Sequence, residues 1–596
     1  MSEVTAAAKE TQYEVADRLL RLTMAALPPE TAGWPVTYEA DRAGPLDKPL
    51  PDERAVQAAC GLMHVHGRAG GRPLPLAVDY AATVAGVLAA QGVCAALLAR
   101  HRGLDLGHVR TSTSQGALLA LAQYLAAATA SDTPRATGAR SPATEPGAGG
   151  TAGSGRGPGD LSAPGRTATL TSADGVPVEL ETLDPGAWRE FWHRLGLPPQ
   201  LAGRGWGPFQ QRFATGSCDL PGPLREAAAA RPLAALKDAA ERTGVSLMRL
   251  SDDPDPAGLP APWTLTHARG DSWAPPPPRG TLPLDGVRVV EATRRVQGPL
   301  AGHVLRLLGA EVTRVEPPGG DPLRGLPPLT DGCSARFLAL NAGKAVAEAD
   351  ITTPQGRSEV HELVAGADVF VHNWAPGTAE RLGLEAPALW RTRPGLVHAA
   401  ASGFGDAFAP ARPPIGTDYL AQVHSGLAAA LRPAGERPAP SLMTLTDVLG
   451  GLVCAHGVLT ALLVRARTGE GSRVGSSLLS AAALVPRPPT RVRWTPLDLP
   501  LRTGDGYVYL DGPGRARPEE VARVVGAPAG GPGAAAARFA QRPSGEWAER
   551  LRDAGITATP VCTDLAELPA DPAFAAAVVP ATPEAPARPR TPWEFS

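Results

Sequence analysis

The second half of the chain alternates between two hydrophobic rhythms. VRVVEA (Val287 to Ala292) is a short β-branched run, Gly298 to Ala310 places apolar residues at helical spacing and stops at a glycine, and Glu311 to Pro317 is strand-like again. These three make a βαβ unit. The alternation continues through AVAEADI (Ala345 to Ile351), a helix over Pro354 to Ala367, DVFVHN (Asp368 to Asn373), a short helix through Arg381, and LVHAAASGF (Leu396 to Phe404). FLALN (Phe337 to Asn341) reads as strand-like before a glycine turn at Gly343. Strands interleaved with helices predict an α/β fold, a doubly wound, mostly parallel Rossmann-like sheet whose ligands sit beyond the carboxyl ends of its strands. From Gly504 the pattern changes to DGYVYLDG, a strand pair that opens a smaller α+β domain and a closing tail.

The chain also resembles itself. Gln57 to Ser112 aligns without a gap on Gln422 to Ser477, with about 19 of 56 positions identical, among them LL-x-R-x-R at Leu97 to Arg102 and at Leu462 to Arg467. A period this long indicates a fused second copy rather than a solenoid. Residues 131–167, almost entirely Ala, Gly, Ser, Thr, Pro and Arg, read as a disordered linker, and the proline run at 273–280 as a stiff spacer. The expected organisation is a degenerate partial copy at 1–130, the linker, its small-domain-like continuation at 168–272, the spacer, a catalytic large domain at 281–497, and a small domain with a tail at 498–596.

Composition narrows the function classes. With 57 Lys+Arg against 59 Asp+Glu the formal charge is -2, which supplies no global attraction for nucleic acid or an anionic membrane. The apolar run Val448 to Val464 approaches membrane-span length but is rich in small residues and interrupted by His456, so it reads as a buried helix. Six scattered cysteines without a C-x-x-C pair, behind a polar N-terminus, fit a reducing cytoplasm.

Three residues are candidates for chemistry. Asp447 stands where a Ser/Thr-rich segment enters a long apolar helix; it reads either as an N-cap or as a carboxylate kept ionised by the helix terminus, as a nucleophile must be. The aligned residue in the first copy is Ala82, so that helix needs no acid there. Asp418, aligned with Glu53, precedes another helix and reads as a cap or a solvated acid. Lys344, after a glycine turn, reads as a solvated lysine or as an ammonium that meets an anionic ligand. The chain has no H-E-x-x-H, G-x-S-x-G or P-loop motif, and its βαβ turn is RRVQGPLAG rather than G-x-G-x-x-G. His64 and His66 would share one face of a strand, but they lack neighbouring Cys or acidic ligands, so no metal site is expected.

The second half then resembles the family III CoA-transferases, the CaiB/BaiF family that includes α-methylacyl-CoA racemase. The matching segments are Pro283 to Pro299, Leu307 to Gly325, Leu340 to Arg357, Ala367 to Leu384, Ser402 to Gly405, Thr417 to Gly426 and the Asp447 helix through Val474, followed by Ala554 to Thr563 and the terminal PWEFS. The first half, from about Asp52, resembles only the later part of the same unit and lacks its leading βαβ segment. The resemblance implies an acyl-CoA:carboxylate CoA-transferase in which Asp447 is the nucleophile, passing through a mixed anhydride and an aspartyl-CoA thioester. It implies that the segments of Gln297, Glu316, Asn341, Lys344 and Asp418 line the coenzyme A site, that a CoA thioester is the substrate with no tightly bound cofactor, and that the partners are an acyl-CoA donor and a small carboxylic acid acceptor. Family members form interlocked homodimers, so the fused copy implies a pseudo-dimer within one chain, or a homodimer. Racemases of the family carry a His-Asp pair where this chain has Thr417-Asp418, which favours transfer over epimerisation. Ala345 and Ala375 also stand where basic residues are common. A racemase, epimerase or dehydratase-like acyl-CoA enzyme and a weakened CoA-thioester-binding scaffold are the alternatives.

Overall fold

The computed structural model describes residues 10–28, 35–132, 166–268, 277–278, 280–409, 411, 413–527 and 531–596. All but the ends of the linker at 131–167, and most of the spacer at 273–280, lie outside the described residues.

The first half contains helix α1 (Thr11–Ala26), strand β1 (Thr37–Asp41), helices α2 (Glu53–Cys60) and α3 (Tyr80–His101), and strand β2 (His108–Ser112), which runs parallel to β1. Strand β3 (Trp263–His267) closes it. The second half follows with β4 (Arg288–Ala292), α4 (Gln297–Leu307), β5 (Glu311–Glu316), β6 (Ala345–Glu348), β7 (Val369–His372), β8 (Val397–Ser402), α5 (Asp418–His424), α6 (Leu445–Thr468) and β9 (Ser472–Ser477). Seven strands form one sheet in the order β6-β5-β4-β7-β8-β9-β3, parallel throughout except for β3 against β9. The chain runs outward from β4 in one direction and then resumes at β7 on its other side, so the topological switch point lies between β4 and β7. The mixed α/β fold and the mostly parallel sheet expected from the hydrophobic rhythm are thereby observed.

Two local readings change. FLALN is the end of a helix (Ala335–Asn341) started by Ser334, whose side chain accepts the Phe337 amide; a five-residue apolar run fits both periods, and the cap decides. His64 and His66 lie on a helix (Leu62–Gly67), where His66 Nδ1 is 2.8 Å from Ser441 Oγ, and no metal-binding group of three His, Cys, Asp or Glu occurs among the described residues.

The duplication extends further than the sequence alignment. Gly86 on α3 and Gly451 on α6 are equivalent, and each accepts a helix laid across it. A Cβ on Gly86 would stand 2.6 Å from the Gln12 carbonyl oxygen and 2.7 Å from Val15; one on Gly451 would stand 2.6 Å from the Gln297 carbonyl oxygen and 2.9 Å from Leu300. Helix α1 is therefore the counterpart of α4, and Gln12 of Gln297. β1 then corresponds to β8: Asp41 accepts the Gly44 amide as Ser402 accepts that of Gly405. The first copy thus retains the first helix of the leading βαβ segment. Among the described residues it lacks counterparts of β4 to β7.

The two halves exchange strands. Trp263 begins β3, which pairs antiparallel with β9 of the second half, and Trp593 precedes Glu594–Phe595, which pairs antiparallel with β2 of the first. The tryptophans take matching places beside Gly457 and Gly92, and Trp593 is buried and donates to the Leu88 carbonyl at 2.8 Å. Helices α3 and α6, each apolar all round, pack on one another at the centre of a core drawn from both halves. Both are long and apolar enough to span a membrane, and 94% of each apolar stretch is buried in protein. Each half's small three-stranded sheet packs on the other copy's structure: that of Leu170–Thr171, Pro177–Glu181 and Ser246–Arg249 against α5, and that of Leu501–Arg502, Tyr507–Leu510 and Ala558–Pro560 against α2.

Candidate active site

Asp447 is the third residue of α6, not its N-cap, which is Thr444. The capping is done from outside by Asp418, the first residue of α5. Its buried carboxylate accepts the Thr446 amide at 2.6 Å, the Asp447 amide at 3.0 Å and the Thr446 hydroxyl at 2.7 Å, and also takes a hydrogen bond from Gln422 Nε2. Gln422 is itself held by the Ser441 amide, which it accepts at 2.8 Å. The Asp447 carboxylate is consequently free of the helix end. Among the described residues it accepts no hydrogen bond.

The first copy repeats the carboxylate-to-amide and glutamine contacts of this network. Glu53 accepts the Ala81 amide at 2.9 Å and the Ala82 amide at 3.0 Å, Gln57 donates to Glu53 at 3.1 Å, and the Leu76 amide donates to Gln57 at 2.9 Å. Ala81 and Ala82 stand where Thr446 and Asp447 do, so the hydroxyl bond and the second acid have no counterpart. Ala82 instead lines a cavity of about 330 Å³ with Arg42, Glu53, Arg54, Asp79 and Arg515.

Electrostatics separate the two acids of the second copy. Burial pushes Asp418 up to about 6 against the pull of its hydrogen bonds. Asp447, partly buried, is raised well above the usual carboxylate range by burial first, then by Asp418 and Glu181, with Arg295 opposing. Two like acids so close release their protons as a pair.

The loop after β4 faces the start of α6. Asn373, just beyond β7, accepts the Arg294 amide at 2.9 Å and donates to the Arg294 carbonyl at 2.8 Å, tying the two sides of the switch point together. Arg295 follows with φ 67°, a left-handed conformation rarely held by a residue with a Cβ. Gln297 donates to the Ser402 carbonyl at 3.2 Å, and its side chain lies where a Cβ on Gly450 would be 2.9 Å away.

Of the residues expected to line the site, Gln297 and Asp418 are brought to Asp447. Glu316, Asn341 and Lys344 are gathered into a separate buried ion network around Arg314, whose guanidinium pairs with Glu291 at 2.8 Å, Glu316 at 3.0 Å and Asp321. Lys344 is neither solvated nor presented to the surface. Its side chain is 1% exposed, and Nζ donates to Glu291 at 2.8 Å, the Pro299 carbonyl at 2.7 Å and Asn341 at 3.0 Å. The buried Glu291 carboxylate beneath α4 is thus paired through one oxygen with Arg314 and through the other with Lys344, which offsets the cost of its burial. Burial brings Lys344 down to about 8, with Glu291 resisting.

Sequence reading missed the first half's contribution. Glu181, at the end of a first-half strand, forms a buried 2.7 Å pair with Arg212, whose guanidinium lies over Phe209 at 3.8 Å and over Tyr419 of α5 at 4.4 Å. This wall of the site comes from the other copy. The alignment of copies would have suggested it only if the strand exchange were known.

The family model of CoA-transferase family III matches residues 41–255 and 284–595, spanning both copies. The chain belongs to CoA-transferase family III. Its relatives within the family include the succinyl-CoA:glutarate CoA-transferase of Mus musculus, 36% identical over 33% of this chain and 46% of that protein, and a probable fatty acyl-CoA transferase of Mycobacterium tuberculosis, 36% identical over 34% and 51%. The succinate–glutarate CoA-transferase of Agrobacterium fabrum is 30% identical over 39% of this chain and 64% of its own length. The chain spans about half the length of the curated relatives it matches. A CaiB/BaiF family protein from Brucella suis of known structure is 28% identical, with 53% of this chain and 93% of that chain covered at a TM-score of 0.46.

Proposed function

We propose that the protein is an acyl-CoA:carboxylate CoA-transferase with Asp447 as its nucleophile, acting in a reducing cytoplasm on an acyl-CoA donor and a small carboxylic acid acceptor. The observation that carries this reading is the freedom of the Asp447 carboxylate. A first-turn aspartate ordinarily helps to satisfy its own helix, yet Asp418 has taken that work, and the matched network around Ala82 stands without any acid at that point.

In the first step an Asp447 carboxylate oxygen attacks the thioester carbonyl carbon, the C–S bond breaks, and coenzyme A leaves as thiolate. The thiolate then attacks the aspartyl carbonyl carbon of the mixed anhydride, releasing the donor acid as carboxylate. The acceptor carboxylate repeats the exchange in reverse, and Asp447 is regenerated with no net proton consumed. Desolvation of Asp447 raises its energy as an anion and with it its nucleophilicity. Asp418 and Gln422 hold the first turn of α6 still while the carboxylate changes partners. Gln297 and Asp418 border the reacting groups, and Lys344, Asn341 and Glu316 support the crevice in which coenzyme A would lie. Thr417, in place of a histidine, offers no base for α-proton abstraction at neutral pH. The first half replaces a second subunit: it supplies Glu181 and Arg212 to the site and exchanges strands with the catalytic half.

The test is intact mass after mixing the full chain with succinyl-CoA, acetyl-CoA and longer acyl-CoA thioesters, with hydroxylamine added to half of each sample. A hydroxylamine-sensitive adduct absent from Asp447→Ala is expected. Transfer that survives in Asp447→Ala would remove the reading.

A further inference from the structure

We propose that Arg295 is the carboxylate anchor of the transfer site, its guanidinium receiving the acceptor acid's carboxylate in front of the Asp447-CoA thioester. The assignment rests on the transferase reading above.

The geometry of the loop supports a ligand role. Arg295 is exposed, and among the described residues it makes no hydrogen bond or ion pair. Its left-handed backbone is held between the Asn373 clamp on Arg294 and the start of α4 at Gln297, so the strain is imposed by the surroundings rather than relieved by them. A disfavoured conformation that sets a charged side chain at a switch-point crevice, with no hydrogen-bond or ion-pair partner among the described residues, is the pattern of a residue kept for a ligand.

The duplication supplies an internal control. Counting from the matched glutamines, the position of Arg295 corresponds to Glu10, two residues before Gln12. Glu10 pairs with Arg42. The copy that has an acid at the reacting position carries an arginine here, and the copy that has Ala82 carries a glutamate. Glu10 is the N-cap of α1 with φ -64°, so the left-handed backbone and the exposed cation occur together only in the copy that carries Asp447.

The charges around Asp447 show when the arginine becomes available. The groups facing it are Asp418 on α5, Glu181 on the first small sheet, Tyr80 on α3 and Arg295, so the arginine is the cation among them. With Asp447 ionised, Arg295 offsets its charge. Once Asp447 is the aspartyl-CoA thioester that charge is gone, and an incoming carboxylate restores it. The acceptor oxygen attacks the aspartyl carbonyl carbon, the C–S bond breaks and thiolate leaves. The thiolate then attacks the acceptor's carbonyl carbon, the bond from that carbon to the Asp447 oxygen breaks, and the Asp447 carboxylate faces Arg295 again.

The experiment measures exchange between succinyl-CoA and deuterated succinate by mass spectrometry on the full chain, with adduct formation from succinyl-CoA followed separately. Any other thioester that forms the hydroxylamine-sensitive adduct is paired with its own deuterated acid. At pH 8, Arg295→Gln and Arg295→Gly are expected to raise the acceptor KM at least tenfold while adduct formation falls by clearly less than that factor, and Arg295→Lys to recover most of the loss. Arg295→Gly also relieves the left-handed backbone, so its melting temperature should equal or exceed that of the parent. An unchanged acceptor KM in Arg295→Gln, or adduct formation lost in parallel with it, overturns the anchor. Exchange that persists in Asp447→Ala overturns the transferase reading instead.

Discussion

Asp418 and Glu53 hold the same place in the two copies, and replacing each by its amide separates what the shared network does for folding from what it does for chemistry. In Asp418→Asn the retained oxygen can still accept from Thr446 and Asp447, but the new NH2 faces Gln422 Nε2, whose donor role is set by the Ser441 amide on its oxygen. That mismatch costs about 1–3 kcal/mol. Against it stands the ionisation cost of the native acid. A folded value of about 6 against about 3.9 in the unfolded chain means stability that is present below pH 4 and lost as pH rises through 6, amounting to about 3 kcal/mol. Asp418→Asn should therefore be less stable than the parent at pH 4 and gain on it by about 3 kcal/mol by pH 7. Glu53, pushed up to about 8 chiefly by burial and then by Asp79, gives the same sign over a wider window, pH 4 to 8. Its full value would be about 5 kcal/mol, reduced to roughly 3 kcal/mol because Glu53 keeps some contact with solvent. Urea unfolding from pH 4 to 8 measures both. The chemistry should respond only to Asp418: losing this like charge moves the acidic limb of adduct formation to lower pH by about 1, whereas Glu53→Gln leaves it in place. A stability difference that does not change with pH, or a limb that moves with Glu53→Gln, would refute the reasoning.

Asp447→Ala should abolish the adduct and lower transfer at least about 1000-fold, while stability relative to the parent rises with pH, because the native acid's raised value makes its contribution fade as pH climbs; differential scanning calorimetry at pH 5 and 8 checks the sign. Trp593→Ala empties a buried site and removes the bond to Leu88, so a loss of about 3–5 kcal/mol is expected in denaturant titration, despite its place near the end of the chain. Glu181→Gln leaves Arg212 buried without its counter-charge and should cost about 3–5 kcal/mol, and because it also removes a like charge from Asp447 it should shift the acidic limb downward.

The strands of the large sheet were legible because β4, β5, β7 and β8 are β-branched or apolar runs buried on both faces, with helices of clear period between them. β3 was not, because WTLTH is an edge strand whose partner β9 lies across the boundary between copies, and no local pattern encodes that pairing. Helix α1 was legible in principle: Gln12, Ala16, Leu20, Arg21 and Leu22 repeat Gln297, Ala301, Leu305, Arg306 and Leu307. The offset there is 285 residues rather than 365, so an ungapped comparison at one spacing passes over it. The burial of Lys344 was not legible for a different reason, since its acceptor Glu291 lies on β4 and a buried pair formed through the fold leaves no trace in the neighbouring sequence.

The retained network around Ala82 shows what holds the first copy's architecture where Asp447 has no counterpart. Glu53 and Gln57 fix the start of α3, and α3 is the helix against which α6 packs; Tyr80 donates to the Leu445 carbonyl at 2.9 Å and Gln91 to the Leu452 carbonyl at 2.7 Å, both on the turns that flank Asp447. Loosening the first copy's helix start would therefore disturb the helix that carries Asp447. The acid at position 82 has no such duty, since the amides it would serve are already capped by Glu53. The cap, the glutamine, the packing glycine and the exchanged strand of the first copy are thus tied to the helix that carries Asp447, whereas that packing needs no acid at position 82.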